Sequence, residues 1–247
     1  MNSKKYCDKF IFKNHFFFKQ SLLLFVTAIF LWLIFDYTDL DLYISTLFYD
    51  NNTNSWPYYS EFFTYTIGYR GIKYMLVLYG AINLALLMRS FKNSYWQAKR
   101  RVIIFLILAI IIIPLKISFL KHNLHKPNPS QITLFGGTMP HVKLIEFLQN
   151  EPQANNWPGG HASGGAALLS LYFAGRYYAS KYRYWGLALG LFVSQLMGMV
   201  QVMRGQHFLS HNLWTVWFSW LTLLIMYYLN LKLSYDKTKQ ANETSKN

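Results

Sequence analysis

The sequence predicts an all-α integral membrane protein with six transmembrane helices and both termini on the inner side. Three observations carry that prediction. First, 53% of the 247 residues are hydrophobic, yet the apolar residues fall in blocks instead of following a surface-helix period. Second, only 14% of the chain is charged, and several blocks are long enough to cross a bilayer. Third, the basic residues flank the blocks asymmetrically. The net charge of +14 suits a nucleic-acid binder in magnitude, but no basic face exists to carry that role. The single cysteine, Cys7, excludes an intramolecular disulfide and a Cys-based zinc cluster.

Taken in order, residues 1–19 form a basic aromatic tail in which Lys4, Lys5, Lys9, Lys13 and Lys19 alternate with phenylalanines. Such a mixture suits the headgroup layer of an anionic leaflet. Ser21 to Phe35 is the first span, retained because no small-residue cleavage site follows it. Residues 36–72 are polar and aromatic, with Trp56-Pro57-Tyr58-Tyr59 as an interfacial anchor. Tyr74 to Met88 is the second span, and Val102 to Leu120, interrupted by Pro114 and Lys116, the third. A polar outer loop, 121–160, precedes the fourth span at Ala162 to Tyr178. Trp185 to Met203 and Leu213 to Leu231 are the fifth and sixth. One domain, 20–231, therefore holds all six spans, and the polar tail 232–247 is expected to lack fixed structure.

Counting Lys and Arg gives the orientation. With the N-terminus inside, 17 basic residues fall in inner segments and six in outer ones, which predicts N-in and C-in. The 121–160 loop and the short 204–211 step then share the outer side, where His161 also stands at the head of span four. Lys121, Lys126, His161, Arg204, His207 and His211 are thereby expected to converge from far apart in the chain.

Two lysines, an arginine and three histidines make an anion site. No acid occurs between Glu151 and Asp236 to answer Arg204 from within the last three spans, and phosphate matches its planar donors. Gly159 and Gly160 lead into a helix at His161, so backbone N–H groups can approach an oxyanion closely. Phosphoryl transfer without a metal needs a nucleophile, a proton donor and cations for the equatorial oxygens. His207 and His161 can fill the first two roles, and Lys121, Lys126 and Arg204 the third. If the step is helical, His211 lies four residues from His207 on one face and can hold its tautomer.

Pro158-Gly-Gly-His161 and Arg204-Gly-Gln-His207-Phe-Leu-Ser-His211, preceded by Lys121 and Lys126-Pro127-Asn128-Pro129, resemble the type-2 phosphatidic acid phosphatase superfamily over about residues 100–230. That family's pattern is Lys-x6-Arg-Pro, then Pro-Ser-Gly-His, then Arg-x5-His-x3-Asp. The resemblance implies a metal-independent phosphatase with a six-helix core and no cofactor. It also implies His207 as nucleophile and His161 as general acid, with Lys121, Arg204 and the Gly160 backbone on the phosphate. This chain departs from the pattern at four places. Asn128-Pro129 stands where Arg-Pro is expected, with Lys126-Pro127 two residues earlier. Gly159 replaces the serine, Gln201 the arginine six before His207 (with Arg204 three before it), and His211 the aspartate.

Phe135-Gly-Gly-Thr-Met-Pro140 and His207-Phe-Leu-Ser-His-Asn-Leu-Trp214 look like a bacterial branch of these membrane enzymes. The Gly136-Gly137 pair reads equally as a plain turn. The expected function is a lipid phosphate phosphatase at the outer leaflet of a bacterial inner membrane, its site facing the periplasm. Lipid A phosphate is the first candidate substrate, ahead of phosphatidylglycerophosphate, phosphatidic acid and polyprenyl diphosphate. Two other classes use the same residues: a metal-dependent hydrolase built on His161, His207 and His211, and a non-enzymatic anionic-lipid binder or transporter.

Overall fold

The computed structural model describes residues 3–144, 146 and 154–244, which are all-helical apart from isolated bridges. Part of the polar loop therefore lies outside the described residues. In chain order, α1 spans Ser3–Tyr37 and α2 Leu40–Thr46; a π-helix at Phe63–Gly71 runs into α3, Ile72–Arg89. The short α4, Ser94–Gln97, precedes α5, Arg100–Asn123. After two 3-10 turns come α6, Gly160–Ala167, and α7, Ser170–Tyr177. Two long helices close the chain, α8, Arg183–Met203, and α9, Leu209–Thr244.

Five stretches among the described residues are long and apolar enough to cross a membrane: His15–Tyr37, Phe63–Arg89, Arg100–Asn123, Arg183–Met203 and Leu209–Asp236. They contain five of the six expected spans. The fourth differs, because residues 162–178 form two eight-residue helices separated at Leu168 and Leu169. Pro114, expected to interrupt the third span, sits inside a continuous α5. The polar tail also departs from expectation, since α9 continues in helix to Thr244.

Most side chains of α1 and α3 that face away from the other helices are large and apolar, among them Phe25, Phe30, Met75 and Val77. A soluble protein would not leave such a surface in water; a bilayer solvates it. The interior is a small-residue and aromatic core. Phe105, Ala109 and Ile113 of α5 meet Ala166 and Ala167 of α6, Phe173 of α7, and Leu223 and Tyr227 of α9. The broken pair α6–α7 lies so close to α8 that a Cβ on Gly165 would come 2.4 Å from the Ser194 nitrogen, and one on Gly190 would come 2.6 Å from the Leu169 nitrogen. Close backbone approach is how helices gain contact where lipid supplies no hydrophobic drive. The helix α1 is tied to α9 by two indoles: Trp217 donates to the Leu24 carbonyl at 2.8 Å and Trp220 to Gln20 at 2.9 Å.

The loop after α5 is folded by its own polar groups. The Gly136-Gly137 pair is a turn: Gly136 has φ +79°, and the N–H groups of Thr138 and Met139 both reach the Gln131 carbonyl. The Gln131 side chain accepts from the Asn128 backbone and from the Asn156 amide at 2.7 Å. Ser130 donates its N–H to the Gly205 carbonyl at 3.0 Å. The loop is thus laced onto the α8–α9 connection.

Gly165→Leu should separate α6 from α8 and lower the thermal unfolding midpoint in detergent, a cost of about 1–3 kcal/mol. Gly80→Ala, where an added Cβ meets nothing within 4 Å, should leave the midpoint unchanged or raise it.

Candidate active site

Helix α8 ends at Met203, and Gly205 turns the chain with φ +68°. The Trp56 ring lies over this glycine, 2.4 Å from where a Cβ would stand. The N–H groups of Gln206 and His207 both fold back to the Gln201 carbonyl. Helix α9 starts only at Leu209, so His207 precedes the helix that carries His211. The two rings still meet, with Nδ1 to Nδ1 at 3.4 Å and centroids 5.6 Å apart. Both are nearly fully buried, and the Asn156 backbone carbonyl faces both of them. With Nδ1 so occupied, the nitrogen of His207 left to face a ligand is Nε2.

The second half of the site is the Gly159-Gly160-His161 turn at the head of α6. Gly159 donates its N–H to the His211 carbonyl at 3.0 Å. The Thr215 hydroxyl lies 3.0 Å from the Gly159 carbonyl and 2.8 Å from that of His211, binding turn and helix together. Gly160 opens α6, so the unsatisfied N–H groups of its first turn sit beside His161. The His161 and His207 ring centroids are 6.3 Å apart, with the rings tilted 55° to each other.

Three cations act on His161: Lys121 from the end of α5, Arg204 from the end of α8, and Lys73 from the start of α3. The Arg204 guanidinium is partly engaged. It donates to the Tyr59 carbonyl at 2.8 Å and to the Gln201 side chain at 3.3 Å, and the Tyr59 and Tyr65 rings lie 5.1 and 5.3 Å away. Gln201 thus braces the arginine that stands one turn further on. Lys126 is turned elsewhere: its ammonium donates to the Lys143 and Glu146 carbonyls, on the His211 side of the site. Two carboxylates from the N-terminal region reach that same side. Asp36 accepts from the Leu144 N–H and the Trp32 indole, and Asp41 accepts from the Ser210 N–H at 2.9 Å. Among the described residues no three His, Cys, Asp or Glu side chains are grouped to hold a metal ion.

Sequence reasoning had missed four of these residues. Lys73 reads as an ordinary boundary anchor, Asn156 acts through its backbone, and Asp36 and Asp41 come from the opposite end of the chain. None carries a local motif.

Burial and the neighbouring cations Lys121, Arg204 and Lys73 push the His161 imidazole down to about 4. Burial, then His211, Lys121 and His161, hold His207 well below the ordinary imidazole range. Both rings are therefore neutral at pH 7 without a ligand. A neutral His207 retains its lone pair, and an anion among the cations would offset the charge that keeps His161 unprotonated. Burial, with a smaller push from Asp36, drives the Asp41 carboxyl the other way, up to about 6 against its hydrogen bonds from Ser210 and Leu209.

Comparison with curated proteins and with solved structures finds no match. The family model of the PAP2 superfamily matches residues 101–235. That interval holds Lys121, the Gly159-Gly160-His161 turn and the Arg204 to His211 step, with α5 through most of α9 as their scaffold. With its several apolar helices, this multi-pass chain belongs to the PAP2 superfamily, a superfamily of phosphatases acting on lipid phosphates.

Proposed function

We propose that the protein is a metal-independent phosphatase that hydrolyses a lipid phosphomonoester at the outer leaflet of a bacterial inner membrane, through a phosphohistidine. The observation that carries this reading is the facing pair His161 and His207, under three cations, at the head of an apolar cleft. The cleft has a volume of about 350 Å³ and descends from Gly160 and His161 between Leu76 and Val77 of α3 and Ile110 of α5. A lipid can lay its chain there while its headgroup reaches the imidazoles. A soluble phosphate ester would need no such cleft.

His207 Nε2 attacks phosphorus, while its Nδ1 faces His211 Nδ1 and the Asn156 backbone holds the ring. Lys121, Arg204, Lys73 and the backbone N–H groups at Gly160 balance the charge on the equatorial oxygens. The bond from phosphorus to the lipid oxygen breaks, and His161 delivers the proton to that oxygen. Because His161 is neutral in the free site, the proton arrives with substrate binding. His161 then takes a proton from water, the water oxygen attacks phosphorus, the P–N bond breaks and inorganic phosphate leaves. Lys126 contributes at one remove, by fixing the loop that bears Asn156. Lipid A phosphate stays the first candidate on the strength of the Phe135 to Pro140 and His207 to Trp214 segments; the cleft suits the other lipids equally.

His207→Ala should lower phosphate release from lipid micelles containing EDTA by at least about 1,000-fold. Undiminished release would remove the assigned nucleophile, and loss of wild-type activity on chelation would favour a metal-dependent hydrolase. Binding of anionic lipid without any release would favour a binder or transporter.

The acid limb of kcat/KM should fall below pH 5 instead of near the free imidazole value of 6.5, since both rings stay neutral to lower pH. Stability follows the same sign. An unfolded His161 takes up a proton near 6.5 while the folded one resists to about 4, so its contribution is full above 6.5 and is lost as pH falls towards 4. Asp41 titrates in the opposite sense over part of that window, so the wild type should be compared with His161→Asn, whose unfolding midpoint should vary less with pH.

In a Cys7→Ser background, a membrane-impermeant thiol reagent reaching the periplasm of intact cells should label Leu134→Cys. Lys92→Cys, at the other end of the bundle, should react only after lysis. The 24 residues of α5 separate these ends by about 36 Å.

A further inference from the structure

Asn212 follows His211 in the first turn of α9 and is completely enclosed. Neither its Oδ1 nor its Nδ2 has a hydrogen-bond partner among the described residues. A buried primary amide with no partner is costly, and more so at the edge of a membrane. Packing alone does not account for it, since a leucine of similar size would fill the space without leaving polar atoms unmet. The space is nevertheless cleared for it from two sides. A Cβ on Gly159 would come 2.6 Å from Asn212 Oδ1, and a Cβ on Gly198 of α8 would come 2.5 Å from its Cγ. Two glycines on separate elements thus make room for one amide beside the Gly159-Gly160 turn. A half-turn about Cβ–Cγ exchanges oxygen and nitrogen, and no protein group holds either orientation.

We infer that Asn212 is a phosphate-binding residue, its Nδ2 donating to a non-bridging phosphoryl oxygen held beside the Gly159-Gly160 turn. The inference rests on the phosphatase reading and adds a residue to that same site. It also accounts for Gly159. Where the resembled motif places a serine, the room for a side chain is taken here by the Asn212 amide, which supplies from α9 the donor that the turn lacks. Thr215, one turn along α9, fixes the register between the two by its hydroxyl at the Gly159 carbonyl.

The test uses purified full-length protein in mixed micelles of lipid phosphate, with inorganic phosphate as the probe. Asn212→Ala should lower kcat about 100-fold, as loss of one transition-state donor does, and weaken inhibition by phosphate. The double variant Gly159→Ser with Asn212→Ala should recover about tenfold of that loss, because truncation vacates the place for a serine hydroxyl. Asn212→Asp keeps the shape but replaces the donor with a carboxyl group, so phosphate should bind more weakly than to the wild type; this variant serves if the alanine protein fails to fold. Unchanged kcat and phosphate inhibition in Asn212→Ala would overturn the inference. So would equal losses in the single and double alanine variants, which would mean packing only. If the wild type released no phosphate from any lipid, the phosphatase reading would fail separately. Phosphate protection against thermal unfolding would then still decide, with equal protection of wild type and Asn212→Ala overturning the role of Asn212.

Discussion

The site depends on one backbone junction, where the Gly159 N–H meets the His211 carbonyl and the Thr215 hydroxyl spans both strands of chain. His161 belongs to α6 and His207 to the approach to α9, and no other polar contact described here joins those elements so near the imidazoles. These hydrogen bonds, two residues before His161 and four or more after His207, tie together the two segments whose imidazole centroids stand 6.3 Å apart. Such a junction costs little desolvation, since the Gly159 N–H is one of the orphan donors that a helix N-terminus must place somewhere.

Around that junction the charges are arranged with a clear asymmetry. Lys121, Arg204 and Lys73 lie on the His161 side, whereas Lys126, Asp36, Asp41 and His141 gather on the His211 side. The first group is three basic side chains that act on His161. The second is close to balanced, and its hydrogen bonds go largely to backbone. That second group is a polar brace that holds the loop and the head of α9.

Much of the architecture was legible in the residues. Five apolar blocks became long helices, and the histidines at 161, 207 and 211 meet although 161 and 211 are 50 positions apart. What was legible was what hydropathy and local motif encode. The break at Leu168 and Leu169 was not, because an apolar run reads alike whether continuous or interrupted when small residues such as Gly164, Gly165 and Ala166 precede the break. Nor was the engagement of Arg204 with the Tyr59 carbonyl, since a main-chain acceptor 145 residues away leaves no mark in side-chain chemistry. Lys126 shows the converse. Its position by a motif suggested a ligand contact, but burial with two carbonyls in reach gave the ammonium a nearer use.

The cleft between α3 and α5 has a consequence for how encounters occur. It is lined by apolar side chains of α3, α5 and α6, and the outer face of α3 is greasy. For a ligand that reaches His161 by that route, the quantity governing occupancy is its mole fraction among the surrounding lipids, not its molarity in bulk. Diluting the bilayer with inert amphiphile would then slow capture at constant total ligand, and the bundle would behave as a two-dimensional trap whose rim is the Lys73 to His161 edge.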